Sequence, residues 1–374
     1  MFSAQTFRDR RKRLLEKLGD NSLAIVPPSS SKPSSADGHH AYVPNKNLYY
    51  LTGISQPDTW LVMAAQPGQD PLEILFIDPY DPEYERWWGV RLSPEQASAL
   101  SGVETCRTND GVRSFIDRCL VRNQMGRVFV DFPVNGIQNG HSSTRLGLAN
   151  EIFSAFPHLE LGRLSPLIFA QRMIKEPAEL DMIRGAVATA NRAMKRAVRV
   201  LRPGMVEYEF EAELIYEFTR SGERDPAFHP IVAGGPRATY LHYPDNDQVV
   251  NDGEMLLVDF GAQNGLYNCD ITRTFPVSGV YSQRQRQLMD LVIEVQEEAI
   301  RLLRPGIEHR QWNEEVNAFY RERLKERRII ETDEELERVY YHRIGHSLGL
   351  DTHDECLVSQ PIEEGMVFTV EPGL

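Results

Sequence analysis

Asp259 and Asp270 lie in the segment Met255-Leu-Leu-Val-Asp-Phe-Gly-Ala-Gln-Asn-Gly-Leu-Tyr-Asn-Cys-Asp-Ile-Thr-Arg-Thr-Phe275. Two strand-like runs flank Asn264-Gly265, a pair favoured in two-residue type I′ turns because both positions need positive φ. With those two as the loop, residues whose numbers sum to 529 face each other. Asp259 then stands directly opposite Asp270 on one face, with Cβ atoms about 4.5–5.5 Å apart. Like charges in that arrangement are destabilising unless one carboxyl is protonated, a cationic side chain intervenes or a cation binds. Arg273 belongs to the opposite face, because successive strand residues alternate. The neighbours Leu256, Leu257, Val258, Ile271 and Phe275 are apolar. They argue for a buried strand pair over two solvated acids, and buried acids need partners. A bound metal is the best candidate.

Further donors stand in Tyr341-His-Arg-Ile-Gly-His-Ser-Leu-Gly-Leu-Asp-Thr-His-Asp354, where His342, His346 and His353 fall within twelve residues. His342 and His346 have zincin spacing. Arg343 follows where that motif has Glu, and Gly345 and Gly349 oppose a continuous helix, so the zincin reading fails. His242, in Leu241-His-Tyr-Pro244, could also point into the site. A set of Asp, Asp, His and Glu is hard and oxygen-rich, which favours Mn²⁺, Fe²⁺, Co²⁺ or Zn²⁺ with open positions over a sulfur-rich structural zinc. Bridging carboxylates suit two metals about 3.5–4 Å apart that activate a shared hydroxide.

The elements that must position these groups repeat along the chain. Arg199-Val-Leu-Arg-Pro-Gly-Met205 returns as Arg301-Leu-Leu-Arg-Pro-Gly-Ile307, each copy closing a long amphipathic helix. A second helical segment follows in each half, Tyr208–Arg220 and Trp312–Lys325. Each half then reaches a Gly-led apolar strand ending in an acid, Gly253 to Asp259 and Gly365 to Glu371, with a spacing of six in both. Asp259 and Glu371 therefore hold equivalent places, and pseudo-twofold halves should bring them together in one central sheet.

Residues 1–165 read as a separate mixed α/β unit, ahead of the repeated unit at 166–374. Its strand candidates are Leu23–Val26, Tyr49–Leu51, Trp60–Ala64, Leu72–Ile77 and Arg127–Val130, and Pro27–His40 is a Ser/Pro-rich loop. The basic start, Met1 to Lys17, reads as a solvated amphipathic helix with Phe7, Leu14, Leu15 and Leu18 inward. A net charge of −13 argues against nucleic acid or an anionic membrane as partner. No apolar run approaches the roughly 20 residues that span a bilayer. Cys106, Cys119, Cys269 and Cys356 show no CxxC spacing, which suits a reducing compartment, with cytoplasm the default.

Val258-Asp-Phe-Gly261, Cys269-Asp-Ile-Thr-Arg-Thr-Phe275, Gly345-His-Ser-Leu-Gly-Leu-Asp-Thr-His-Asp354 and Val370-Glu-Pro-Gly373 resemble the motifs of pita-bread metallopeptidases. Phe7-Arg-Asp-Arg-Arg-Lys-Arg-Leu-Leu15 and Asn47-Leu-Tyr-Tyr-Leu-Thr-Gly-Ile54 resemble the creatinase/aminopeptidase P amino-terminal domain. The resemblance implies an α/β (α+β) chain whose N-terminal domain precedes a pseudo-twofold pita-bread domain. It implies metal-dependent release of the first residue from peptides with proline in second position. Two divalent metals, with Mn²⁺ expected, would be held by Asp259, Asp270, His346 and Glu371, the last also moving the proton. His242 and His353 would bond the substrate carbonyl and the developing tetrahedral species. His342 and Phe228 would line the proline pocket, where relatives often carry tyrosine in place of Phe228. The family has a further glutamate ligand beyond Glu-Pro-Gly. The sequence stops at Leu374, so a longer native chain is expected, or else a mononuclear or inactive site. The resemblance also implies a homo-oligomer assembled partly through the N-domain. Two alternatives are a prolidase restricted to dipeptides and a metal-free, non-catalytic pita-bread module.

Overall fold

A computed structural model describes residues 2–29, 34–36, 40–122, 125–132, 144–356 and 360–374. The expected Pro27–His40 loop lies partly outside the described residues. The chain divides into two compact units, Met1–Gln171 and Arg172–Leu374. The division falls six residues after the expected 165/166 boundary, at the end of a short helix that begins at Ser165.

The first unit runs α1 (Ala4–Leu18), β1 (Ser22–Val26), α2 (Lys46–Thr52), β2 (Trp60–Ala65), β3 (Leu72–Ile77), α3 (Pro82–Trp88), α4 (Pro94–Ser101), β4 (Thr105–Thr108), α5 (Val112–Arg122), β5 (Arg127–Val130), α6 (Thr144–Ala155), β6 (Glu160–Arg163) and α7 (Ser165–Arg172), whose last residue, Arg172, opens the second unit. Among the described residues its six strands form one mixed sheet in the order β4-β3-β2-β1-β5-β6. Central β1 is buried along its whole length, which explains its apolar run from Leu23 to Val26, and the buried Ser22 hydroxyl at its start donates to Leu18 O.

Two expectations for this unit fail. Tyr49–Leu51 is not a strand but part of α2. Asn45 caps that helix through Oδ1, and Gly53 closes it at φ 71°. The basic face of α1 is not wholly solvated either, because Arg10 and Arg11 are fully buried. The Arg10 guanidinium lies 4.0 Å from the centre of the Tyr50 ring and donates to Tyr50 O. Arg11 donates to Glu73, Leu51 O and Ser101 O. Long stems and multiple donors let arginine enter a core when carbonyls are waiting for it.

The second unit contains α8 (Pro177–Val198), α9 (Glu207–Arg220), β7 (Ile231–Gly234), β8 (Met255–Phe260), β9 (Gln263–Asn264), β10 (Tyr267–Asn268), β11 (Ile271–Pro276), α10 (Gln283–Leu302), α11 (His309–Glu326) and α12 (Leu336–Val339). Helix α8 packs on α9, and α10 on α11, so each repeat supplies one helix pair. The backbone bonds repeat as well. Gly204 N–H donates to Val250 O, as Gly306 N–H does to Ile362 O, and Val250 N–H returns to Met205 O, as Ile362 N–H does to Ile307 O. Ile231 pairs with Asp259, and Glu371 N–H bonds Ile344 O, so an isoleucine stands across from the acid in both halves.

The two acid-bearing segments differ in one respect. Strand β8 is regular and central in the order β11-β8-β7. The expected strand from Met366 to Glu371 instead pairs with Ile344–Leu348 through alternate bonds (Leu348 N to Val367 O, Thr369 N to His346 O, Glu371 N to Ile344 O) and one bridge. Gly345 lets the two backbones close there, since a Cβ on it would come within 2.0 Å of Thr369 O.

Candidate metal centre

The hairpin register differs from the expected one. Asn264 pairs with Tyr267 and Thr272 with Asp259, so facing numbers sum to 531. The two-residue loop is therefore Gly265-Leu266, with φ of 54° and 71°, and not Asn264-Gly265. Positive φ at both positions is the type I′ signature, although Leu266 has no intrinsic preference for it. A tertiary contact overrides the local preference. Asn264 Nδ2 donates to Met182 O on α8, beside Gly185, where a Cβ would lie 2.2 Å from that nitrogen. With Asn264 held against the helix, the turn moves one residue along. The register changes by two, so side-chain parity survives. Asp259 and Asp270 still share a face, now as diagonal neighbours, and Arg273 points to solvent.

His346 completes the cluster. Its Nδ1 bonds Ser347 O at 3.1 Å, which leaves Nε2 facing the acids, 3.4 Å from Asp270 Oδ2 and 3.3 Å from Glu371 Oε1. The His353 ring lies 3.9 Å from that of His346, centre to centre. His342 packs edge-on against Tyr340, and a Cβ on Gly373 would lie 3.2 Å from its Nε2. Phe228 covers Gly261, the residue across from Asp270, at a distance that leaves no room for a Cβ. His242 is exposed, close enough for its charge to reach His353.

Electrostatics mark this cluster as unusual. Burial, then the Asp270 charge, push the Asp259 carboxyl up to about 8, against a bond from Thr272 that lowers it. Glu371 is also raised, chiefly by burial. Burial alone would lower His346, but Asp270, the Ser347 carbonyl and Glu371 together raise it. His353 is lowered by burial and by the positive charge of His346.

Among the described residues, no three His, Cys, Asp or Glu side chains close around one point as a finished metal cage. The donor chemistry nevertheless fits a cation. Asp259 Oδ1 is buried and has no hydrogen-bond partner among the described residues. A buried carboxylate oxygen without a donor is costly, and a divalent cation supplies what is missing. Asp259, Asp270, His346 and Glu371 could together hold it.

Some contributors had no obvious signal in the sequence. Thr369 Oγ1 donates to Glu371 Oε1 at 2.8 Å and accepts from His346 N–H at 2.9 Å, tying two donors together. Strand parity could have found Thr369, two residues before Glu371, and Thr272, two after Asp270. Nothing in the spacing points to Arg172 and Lys175, which reach Asp354 from almost half the chain away.

The sequence pattern of metallopeptidase family M24 matches residues 181–374, and that of the aminopeptidase P N-terminal domain matches residues 7–129. The Xaa-Pro aminopeptidase of Haemophilus influenzae is 32% identical over 381 residues, covering 99% of this chain and 86% of its own. That of Escherichia coli is 31% identical, covering 100% and 87%. An aminopeptidase P structure from Bacillus anthracis superposes with a TM-score of 0.95 at 33% identity, over 99% of this chain and 88% of that one. A variant E. coli aminopeptidase P in complex with substrate gives 0.89 at 30%, over 99% and 87%.

Proposed function

Because the chain belongs to metallopeptidase family M24, we propose that it releases the N-terminal residue from peptides with proline in second position. The single observation that carries this reading is the convergence of Asp270, Glu371 and His346 beside the unpartnered oxygen of Asp259. Family membership implies divalent metal, and the oxygen-rich donor set favours Mn²⁺. When bound, such ions polarise the scissile carbonyl and acidify water.

The chain's own residues do the remaining work. Asp259, Asp270, His346 and Glu371 would hold the metal. Glu371, fixed by Thr369, carries the proton from the attacking water toward the leaving prolyl nitrogen. His353 and His242 steady the negative charge that develops on oxygen as the amide carbon becomes tetrahedral. His342 and Phe228 flank the proline ring. Phe228 has no hydroxyl, so it contributes only apolar contact.

We further propose a cytoplasmic setting, supported by the four free thiols, and a homo-oligomer formed through the N-terminal unit. Trp87, Trp88 and Val90 are 76%, 62% and 86% exposed there, an apolar stretch that a second copy could cover.

The test is an assay on an Xaa-Pro-Xaa tripeptide before chelation, after it, and after Mn²⁺ is restored. Activity should vanish on chelation and return with the metal. Activity that survives thorough chelation would sink the mechanism, and cleavage of dipeptides only would turn the reading to a prolidase.

A further inference from the structure

His353 stands between two acids, Asp351 and Asp354, and both acids go to one guanidinium. Arg172 Nη2 donates to Asp351 Oδ2 at 2.7 Å and to Asp354 Oδ1. The Arg172 side chain is 3% exposed and that of Asp354 1%. Lys175 Nζ, equally buried, takes the other Asp354 oxygen at 3.3 Å. Gly349 makes the space, since a Cβ there would sit 2.2 Å from Asp354 Oδ2. The backbone is tied at the same place, with Asp354 N–H on Ser347 O and Asn268 holding Gly349 O and Leu350 O.

Holding a loop does not require this arrangement. Buried ion pairs carry a desolvation penalty, and apolar residues of similar volume pack as well or better. What a buried guanidinium adds is direction, because its donors lie in one plane at fixed angles. Here the two N–H bonds of Nη2 reach the chain on both sides of His353, whose ring lies against His346.

We propose that Arg172 is a positioning residue that clamps the acids bracketing His353 and so fixes its imidazole against the reacting centre. The proposal rests on the reading that His353 acts on the substrate.

The test is a double-mutant cycle in the full metal-loaded chain, using Arg172→Lys, which keeps the charge and loses the fork, and His353→Ala. With His353 present, Arg172→Lys should lower kcat about 10- to 100-fold, the scale of a misplaced catalytic group. KM should stay within about two-fold, as expected when only transition-state contacts are lost. In the His353→Ala background the same change should cost less than about two-fold, because the two act as one unit. Hydrogen exchange of the amides at 347–354 gives a readout independent of activity. It should quicken in Arg172→Lys and remain near wild type in His353→Ala.

Losses that simply add across the cycle, or unchanged exchange in Arg172→Lys, would overturn the clamp. If Arg172→Lys does not fold, Asp351→Asn replaces it. That carboxylate is 43% exposed, so one arm of the clamp is lost without stranding a buried charge, and the same pattern is expected at smaller size. Full activity in His353→Ala would instead refute the role assigned to His353, with the exchange data still deciding whether Arg172 orders the loop.

Discussion

Replacing Asp259 by asparagine should make the metal-free protein more stable while destroying its metal affinity. The Asp259 carboxyl is raised from 3.8 to about 8, first by burial and then by Asp270. For an acid whose folded pKa lies above its unfolded one, the folded state keeps a proton that the unfolded state has lost. Its contribution is therefore most favourable below about pH 4 and is lost as pH rises toward about 8. At about 1.4 kcal/mol per unit the full difference approaches 6 kcal/mol, and sharing among neighbouring acids reduces the releasable part to about 3 kcal/mol. Urea unfolding of metal-free protein would measure this. Asp259→Asn should exceed wild type by about 3 kcal/mol at pH 8.5 and by about 1 kcal/mol at pH 5. Saturating Mn²⁺ should reverse the order, because only wild type gains binding energy on the folded side. A variant less stable than wild type at pH 8.5 without metal would refute the argument. So would equal stabilisation of both proteins by Mn²⁺.

Three other expectations follow from single contacts. Thr369→Val removes the bonds to Glu371 and His346 N–H, and should cost about 1–3 kcal/mol in urea unfolding and weaken metal retention in equilibrium dialysis. Leu266→Gly relieves a non-glycine residue at φ 71°, and should change stability by no more than about 1 kcal/mol, in the favourable direction, with kcat unchanged. Gly345→Ala forces a methyl group toward Thr369 O, and should destabilise by about 3 kcal/mol or more with loss of Xaa-Pro cleavage, read by thermal melting and assay.

Much of the site could be read in the sequence because its signals are local and periodic. The equal Gly-to-acid spacing pairs Asp259 with Glu371, and the structure repeats the flanking backbone bonds in both halves. Alternation along a strand put Asp259 and Asp270 on one face, a conclusion that survived a register error because the error was two residues. Had it been one, the acids would have faced opposite sides.

What escaped depends on partners distant in the chain, and in one helix on its caps. Asn264-Gly265 is a strong turn signal, yet the carbonyl of Met182 claims Asn264 and displaces the turn onto Gly265-Leu266. Tyr49–Leu51 has strand-like composition, but the Asn45 cap and the Gly53 stop make it helical. Arg10 and Arg11 look like solvent charges until the carbonyls of Tyr50, Leu51 and Ser101 converge on them. Residue types, periodicity and parity thus determined which groups are the candidates for the chemistry and which of them share a face. Tertiary structure decided the register of the hairpin and the Arg172 grip on the His353 loop, since both are set by hydrogen bonds between segments about 80 to 180 residues apart, which local propensity does not encode.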